Sequence, residues 1–238
     1  MPGGFCLTSS RDEKPERLTD FPQAHIHPHG EVIYPKDLKA GGTWIAASRD
    51  GKAACLLNGA FEAHRSNRNY EKSRGKLLLE FFEFNQIPQF LEKVSLHNIE
   101  PFTLLMLDYK AAFKCVFYGL RWDGTIKHIK KLCPETSYIW SSATLYQQTV
   151  RESRKQLFKN WIEKYKDFGD RLIYHFHAKK HGLAADADLL MENANGVKTV
   201  SISQIRVCHD EERFDYTDVQ TNKHHSVNLL NTTTKLSA

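Results

Sequence analysis

The sequence predicts a layered α+β domain, and three observations carry that expectation. Short apolar runs separated by turn residues fill Phe5–Leu57 and Phe102–Lys130, as strands do. The spacing lengthens to that of amphipathic helices at Ser73–Val94 and again after Trp140. Strand-like runs return at Thr199–Val207 and Arg213–Thr217. With 238 residues, 41% hydrophobic and 26% charged, the composition is ordinarily globular, which excludes collagen-like, low-complexity and disordered chains. One domain over residues 1–220 is expected, with a polar, frayed tail at 221–238.

Each element has a local reason. Pro2-Gly3-Gly4 supplies a fixed φ followed by two permissive residues, a turn opening into a strand at Phe5–Ser9. Lys14 to about Lys39, rich in Pro, His and Lys, reads as a connection. Thr43–Ala47 and Ala53–Leu57 flank an Asp50-Gly51 step, a hairpin signal. Residues 62–72 are polar and read as a loop. Ser73 can cap a helix reaching about Phe84, because Leu77, Leu78, Phe81 and Phe82 recur at i, i+3/i+4. Pro88 suits the first turn of a helix near Gln86–Val94. Strands are predicted at Phe102–Asp108, Ala112–Tyr118 and Thr125–Lys130, with a turn at Trp122-Asp123-Gly124. Leu157, Trp161, Ile162 and Tyr165 share one face of a helix from Tyr146 to Asp167, and another helix covers Arg171–Lys180.

The net charge is +5, but basic and acidic residues are interspersed, so nothing singles out nucleic acid as a partner. No stretch reaches the roughly 18 consecutive apolar residues of a membrane span. The start shows no basic region followed by an apolar core, so a secretory signal is not expected. The cysteines Cys6, Cys55, Cys115, Cys133 and Cys208 lack CxxC spacing, and most lie in apolar runs. They read as buried thiols in a reducing compartment, which places the protein in the cytoplasm.

The chemistry-bearing residues cluster early: Thr8-Ser9-Ser10-Arg11-Asp12-Glu13, then Ala40-Gly41-Gly42-Thr43-Trp44-Ile45, then Leu56-Leu57-Asn58-Gly59. In this order and spacing they resemble the NRDE family, named for an Asn-Arg-Asp-Glu motif and including the transport-and-Golgi-organisation proteins. The motif's first residue departs, being Ser10 here. That family is similar to the N-terminal nucleophile hydrolases, so the resemblance implies a four-layer αββα sandwich and hydrolysis of a carbon–nitrogen (amide) bond in a small molecule. In such enzymes an N-terminal Cys, Ser or Thr attacks while its own α-amine, titrating near about 8, acts as base. By the resemblance, Arg11 would lower the thiol pKa, Asp12 would hold the α-amine and Asn58 would donate to the oxyanion. Ser142, where relatives often have Asn, and Lys198, where an Arg is common, would line the substrate site with Gly41, Gly42 and Trp44. Both substitutions argue against bile-salt or lactone specificity.

Relatives usually begin Met-Cys, whereas this chain begins inside the turn that follows. The first strand and its Cys are therefore expected to be missing from the start, leaving Phe5–Ser9 as an unpaired edge and the chain inactive as given. Cys6, mid-strand and without an adjacent free amine, is a poor substitute.

Simpler readings stand beside these. Arg11 and Asp12 could form an ordinary surface ion pair, Asn58-Gly59 a strand-ending turn, and Gly41-Gly42 a turn rather than an approach to substrate. Arg65, Arg68, Lys72 and Arg74 could contact an anionic substrate or form a solvated loop. The alternating His25, His27 and His29 and the i, i+4 pair His177 and His181 lack the partners of a metal site, so neither a metal nor a cofactor is expected. The alternative function is a non-catalytic binding or carrier protein for haem or a lipid-like ligand, with Cys133, His177 and His181 as candidate haem ligands. Either way the expected partner is a small-molecule substrate or hydrophobic ligand.

Overall fold

The computed structural model describes residues 4–64, 70–109, 115–165, 169–208 and 211–230. Two antiparallel sheets form its centre. Seven strands run as an unbroken meander, β2 (Thr19–His27), β3 (Gly30–Asp37), β4 (Ile45–Ser48), β5 (Lys52–Asn58), β6 (Phe102–Asp108), β7 (Val116–Trp122) and β8 (Lys127–Leu132), each paired with the next. The other sheet joins the two ends of the chain in the order β1 (Phe5–Glu13), β9 (Lys198–Cys208), β10 (Glu211–Asp218) and β11 (Lys223–Asn228).

Period-two alternation stacks these sheets. In β6, Phe102, Leu104 and Met106 enter a core under the short helices α1 (Arg74–Glu80) and α2 (Ile87–Lys93), where Leu77, Phe81 and Phe90 are fully buried. The intervening Leu105 and Leu107 enter a second core, against Ile205, Val207 and Phe214 of the four-stranded sheet. Burial on both faces explains why β6 reads as a continuous apolar run. A third, smaller cluster around Trp161, Phe176 and Leu189 covers the outer face of the four-stranded sheet with α3 (Gln148–Lys164) and α4 (Asp170–His177). The result is the expected αββα sandwich.

Local signals held where they were strong. Ser73 caps α1, accepting from the Lys76 N–H at 3.3 Å, and Pro88 stands in the first turn of α2. The Arg49-Asp50-Gly51 turn joins β4 to β5, with Gly51 at φ +91°.

Three expectations change. The Lys14–Lys39 connection is mostly the β2–β3 hairpin, and its alternating histidines are strand periodicity: His25 and His27 both pack their rings against Tyr34. The first strand runs on to Glu13, carrying Arg11 and Asp12 in the sheet. The tail expected to fray from 221 instead forms β11, paired with β10, and Leu229 beyond it is fully buried. Residues 231–238, Arg65 and Arg68 of the basic loop, and 112–114 of the strand expected at Ala112–Tyr118 lie outside the described residues.

Candidate functional site

β1 pairs with β9 on one side and has no strand on the other among the described residues. A cavity of about 1630 Å³ wraps around that free edge, and every residue from Gly4 to Glu13 lines it. One arm reaches between the sheets, against Leu105, Phe117, Tyr138 and Trp140; the other reaches the helical layer, against Phe158, Ile173 and Leu189. Its walls are mixed: apolar side chains line both arms, and charged and polar groups, among them Arg11, Asp12, Asp37, Glu100 and Arg154, line the rest.

Arg11 belongs to the inter-sheet side. Its guanidinium donates to Asp37 Oδ2 at 2.8 Å and to the Arg17 carbonyl at 3.2 Å, and stacks 4.9 Å from the Trp44 ring centre. Asp37 is the hub: its other oxygen accepts from the Lys39 and Ala40 N–H groups, folding the turn that leads to Gly41-Gly42. Burial alone would raise the Asp37 pKa, but the Ala40 N–H and the cations Arg17 and Arg11 outweigh it and hold the carboxyl below its usual range. The Arg11 pair is thus buried rather than a surface contact.

Asp12 belongs to the helical side. It accepts from the Tyr146 hydroxyl at 2.6 Å and from Thr199 Oγ1 at 2.7 Å. Tyr146 in turn lies under the Arg154 guanidinium, 3.7 Å from its ring centre, while Arg154 donates to the carbonyls of Ala187 and Asp188. Asn58 ends β5 at the cavity with an exposed side chain, its carbonyl accepting from Ser142 Oγ at 2.9 Å. Arg11, Asp12, Asn58, Gly42, Trp44 and Ser142 therefore all line one cavity, whereas Gly41 and Lys198 do not. Lys198 opens β9, opposite Glu13.

Gly42 has a reason of its own. A Cβ there would stand 2.5 Å from the Gly75 carbonyl carbon, so the loop crosses backbone-to-backbone over the start of α1. The close approach expected of this glycine is to the protein itself. Arg74 pairs with Glu100 and Lys72 with Glu80, so these two basic residues are neutralised at the cavity rim.

The thiols are ill-suited to attack. Burial first of all pushes Cys6, Cys55 and Cys115 up to about 11, although Cys6 and Cys115 keep partial exposure. Cys133 is exposed, while His177 Nδ1 bonds Ser10 and His181 Nε2 faces the Phe176 carbonyl, so the two histidine rings are already engaged. Two buried donors on the cavity wall, Trp44 Nε1 and Tyr109 Oη, have no protein partner among the described residues. Sequence reasoning missed Asp37, Tyr146, Arg154 and Thr199. Only the Asp37-to-Gly42 turn left a local trace.

Known proteins agree with this architecture. Two variants of the conjugated bile acid hydrolase from Clostridium perfringens superpose with TM-scores of 0.52 at 8% and 9% identity, covering 95% and 94% of this chain and 85% and 84% of theirs. The fold is that of the N-terminal nucleophile hydrolases. A Bos taurus Transport and Golgi organization protein 2 homolog is 34% identical over 128 residues, 49% of this chain, and the match spans only 44% of the bovine protein. The family model described as Transport and Golgi organisation 2 matches residues 4–225. The chain belongs to the Transport and Golgi organisation 2 family.

Proposed function

We propose that this cytoplasmic chain carries the substrate cavity of a carbon–nitrogen hydrolase acting on a bulky, largely apolar small molecule. The observation that carries the reading is one cavity in which Arg11, Asp12 and Asn58 stand together beside apolar side chains such as Leu105, Phe117 and Trp140. In this reading the attacking thiol is the N-terminal cysteine that the family resemblance implies, because burial pushes the Cys6, Cys55 and Cys115 thiols up and makes them poor nucleophiles. Gly41 and Lys198 take no part, and Ser142 acts by fixing the carbonyl of Asn58.

The test is amine release from a panel of amide conjugates of bulky acids, conjugated bile acids included because a protein of the same fold is named for them. The protein isolated from its natural source is used, with intact mass identifying its first residue. Release that needs an N-terminal cysteine and falls roughly 10²–10³-fold in Asn58→Ala supports the reading. Absence of release by a Cys-initiated chain overturns it. A second reading, a carrier, is favoured by the full engagement of Arg11 and Asp12 by protein groups. Saturable binding of the same conjugates or of haem without turnover, unchanged by Cys133→Ala, would select it.

A further inference from the structure

Ser10, the residue at which the motif departs from Asn, has no part in the function proposed above. Its hydroxyl lies 3.0 Å from Nδ1 of His177 on α4, a contact made across most of the chain. Both side chains line the helical arm of the cavity, beside Phe158, Ile173 and Leu189. Arg154 lines the same arm, 5% exposed, and among the described residues it is bonded to carbonyls rather than to a carboxylate.

This arrangement meets the geometric requirement for an activated nucleophile, a hydroxyl within hydrogen-bond reach of a base and open to a ligand cavity. Burial, followed by the charges of Arg154 and His181, pushes His177 down to about 4, so at neutral pH its imidazole is uncharged. When Nδ1 accepts from Ser10, the ring proton is on Nε2. Arg154, close enough to weigh on His177, adds a buried positive charge to the same arm, a field that favours negative charge developing on a bound ester.

We propose that Ser10 and His177 form a nucleophile–base pair for acyl transfer that needs no cysteine, and that this arm takes carboxylic esters with apolar acyl chains. Ser10 Oγ bonds to the ester carbonyl carbon as its proton passes to His177 Nδ1. Collapse of the adduct breaks the carbon–oxygen bond, and the leaving alkoxide takes that proton as alcohol. Water then attacks the acyl-serine, giving a proton to His177; Ser10 Oγ takes it back as the carboxylic acid leaves. Esters rather than amides fit because no carboxylate holds the far nitrogen of His177 among the described residues, so the base is weak and a good leaving group is needed.

The test treats the full chain with a fluorophosphonate, maps the adduct by peptide mass, and measures hydrolysis of p-nitrophenyl esters of increasing chain length. The expected result is phosphonylation of Ser10, unaffected by prior thiol alkylation, absent in Ser10→Ala and slower by about 10²-fold in His177→Asn. No adduct on Ser10, or equal rates with and without His177, overturns the proposal. Should His177→Asn fail to fold, Ser10→Cys replaces it: iodoacetamide must then react at position 10 at least ~10-fold faster than at Cys6. Equal rates there also overturn it. Neither readout involves an amide or an N-terminal cysteine, so failure of amide hydrolysis and failure of this pair are distinguishable.

Discussion

The two helical layers of the sandwich are built on different terms. Under α1 and α2 the core is large and almost wholly apolar, and a fully buried charge beside it, Lys52, gives its ammonium to the Phe84 carbonyl at 2.8 Å beside two Phe rings. Across the sandwich, the helical layer over β1 and β9 is anchored by a much smaller cluster, with Arg154, Asp188 and Thr199 buried next to it. The closed half is held by non-directional burial, which needs only shape and volume. The open half is held by directional bonds around a cavity. Stability and binding are thus assigned to different layers of one fold.

Truncating each core tests that division. Phe90→Ala in the closed half should cost about 3–5 kcal/mol, the usual price of an unfilled aromatic site. Phe176→Ala, equally buried but in the sparse cluster, should cost less, because the neighbouring layer borders open space and can relax. Denaturant midpoints at unchanged slope measure both; equal losses would break the comparison.

The next effect is a pH response confined to the open half. Burial, followed by the charges of Arg154 and His181, pushes His177 down to about 4, from the ordinary histidine value of about 6.5. As pH falls, the unfolded chain therefore takes up the proton first. Its contribution is full above about 6.5, declines as pH falls towards about 4 and levels off below. The loss is at most about 3 kcal/mol, reduced where cavity water screens the partly exposed ring. The difference in stability between wild type and His177→Asn, followed from pH 7 to about 4.5, should shrink in that window. A constant difference would mean that burial does not set the titration.

The same division explains what could be read from the sequence. The meander from β4 to β6 and the capped α1 are encoded locally, by alternation, an Asp-Gly turn and a Ser cap. β2 and β3 were hidden by Pro22 and Pro35 and by histidines that resemble ligands until Tyr34 is seen against them. β11 is an edge strand of Lys, His, Ser and Asn, mostly exposed, so composition gave no hint of pairing; His225 stacks on Phe21 of β2. At the site, Arg11, Asp12 and Asn58 were legible as a motif. Their partners Asp37, Tyr146 and Thr199 were not, because a side-chain bond between remote elements leaves no periodic trace.

The smallest effect bears on one of those unread partners. Tyr146→Phe removes the hydroxyl that donates to Asp12 at 2.6 Å and leaves the Thr199 bond, the ring and its stack on Arg154 in place. A hydrogen bond to a charged group is worth about 1.5–3 kcal/mol. The cost should fall near the lower end, ~1.5 kcal/mol, because the freed carboxylate oxygen lines a cavity that water can enter. If Tyr146 also positions Asp12 for a ligand, binding of an amide conjugate should weaken in Tyr146→Phe while Phe90→Ala leaves it unchanged. Calorimetric titration of both variants compares the two halves directly. Equal weakening would show that the cavity depends on the closed core as much as on its own bonds.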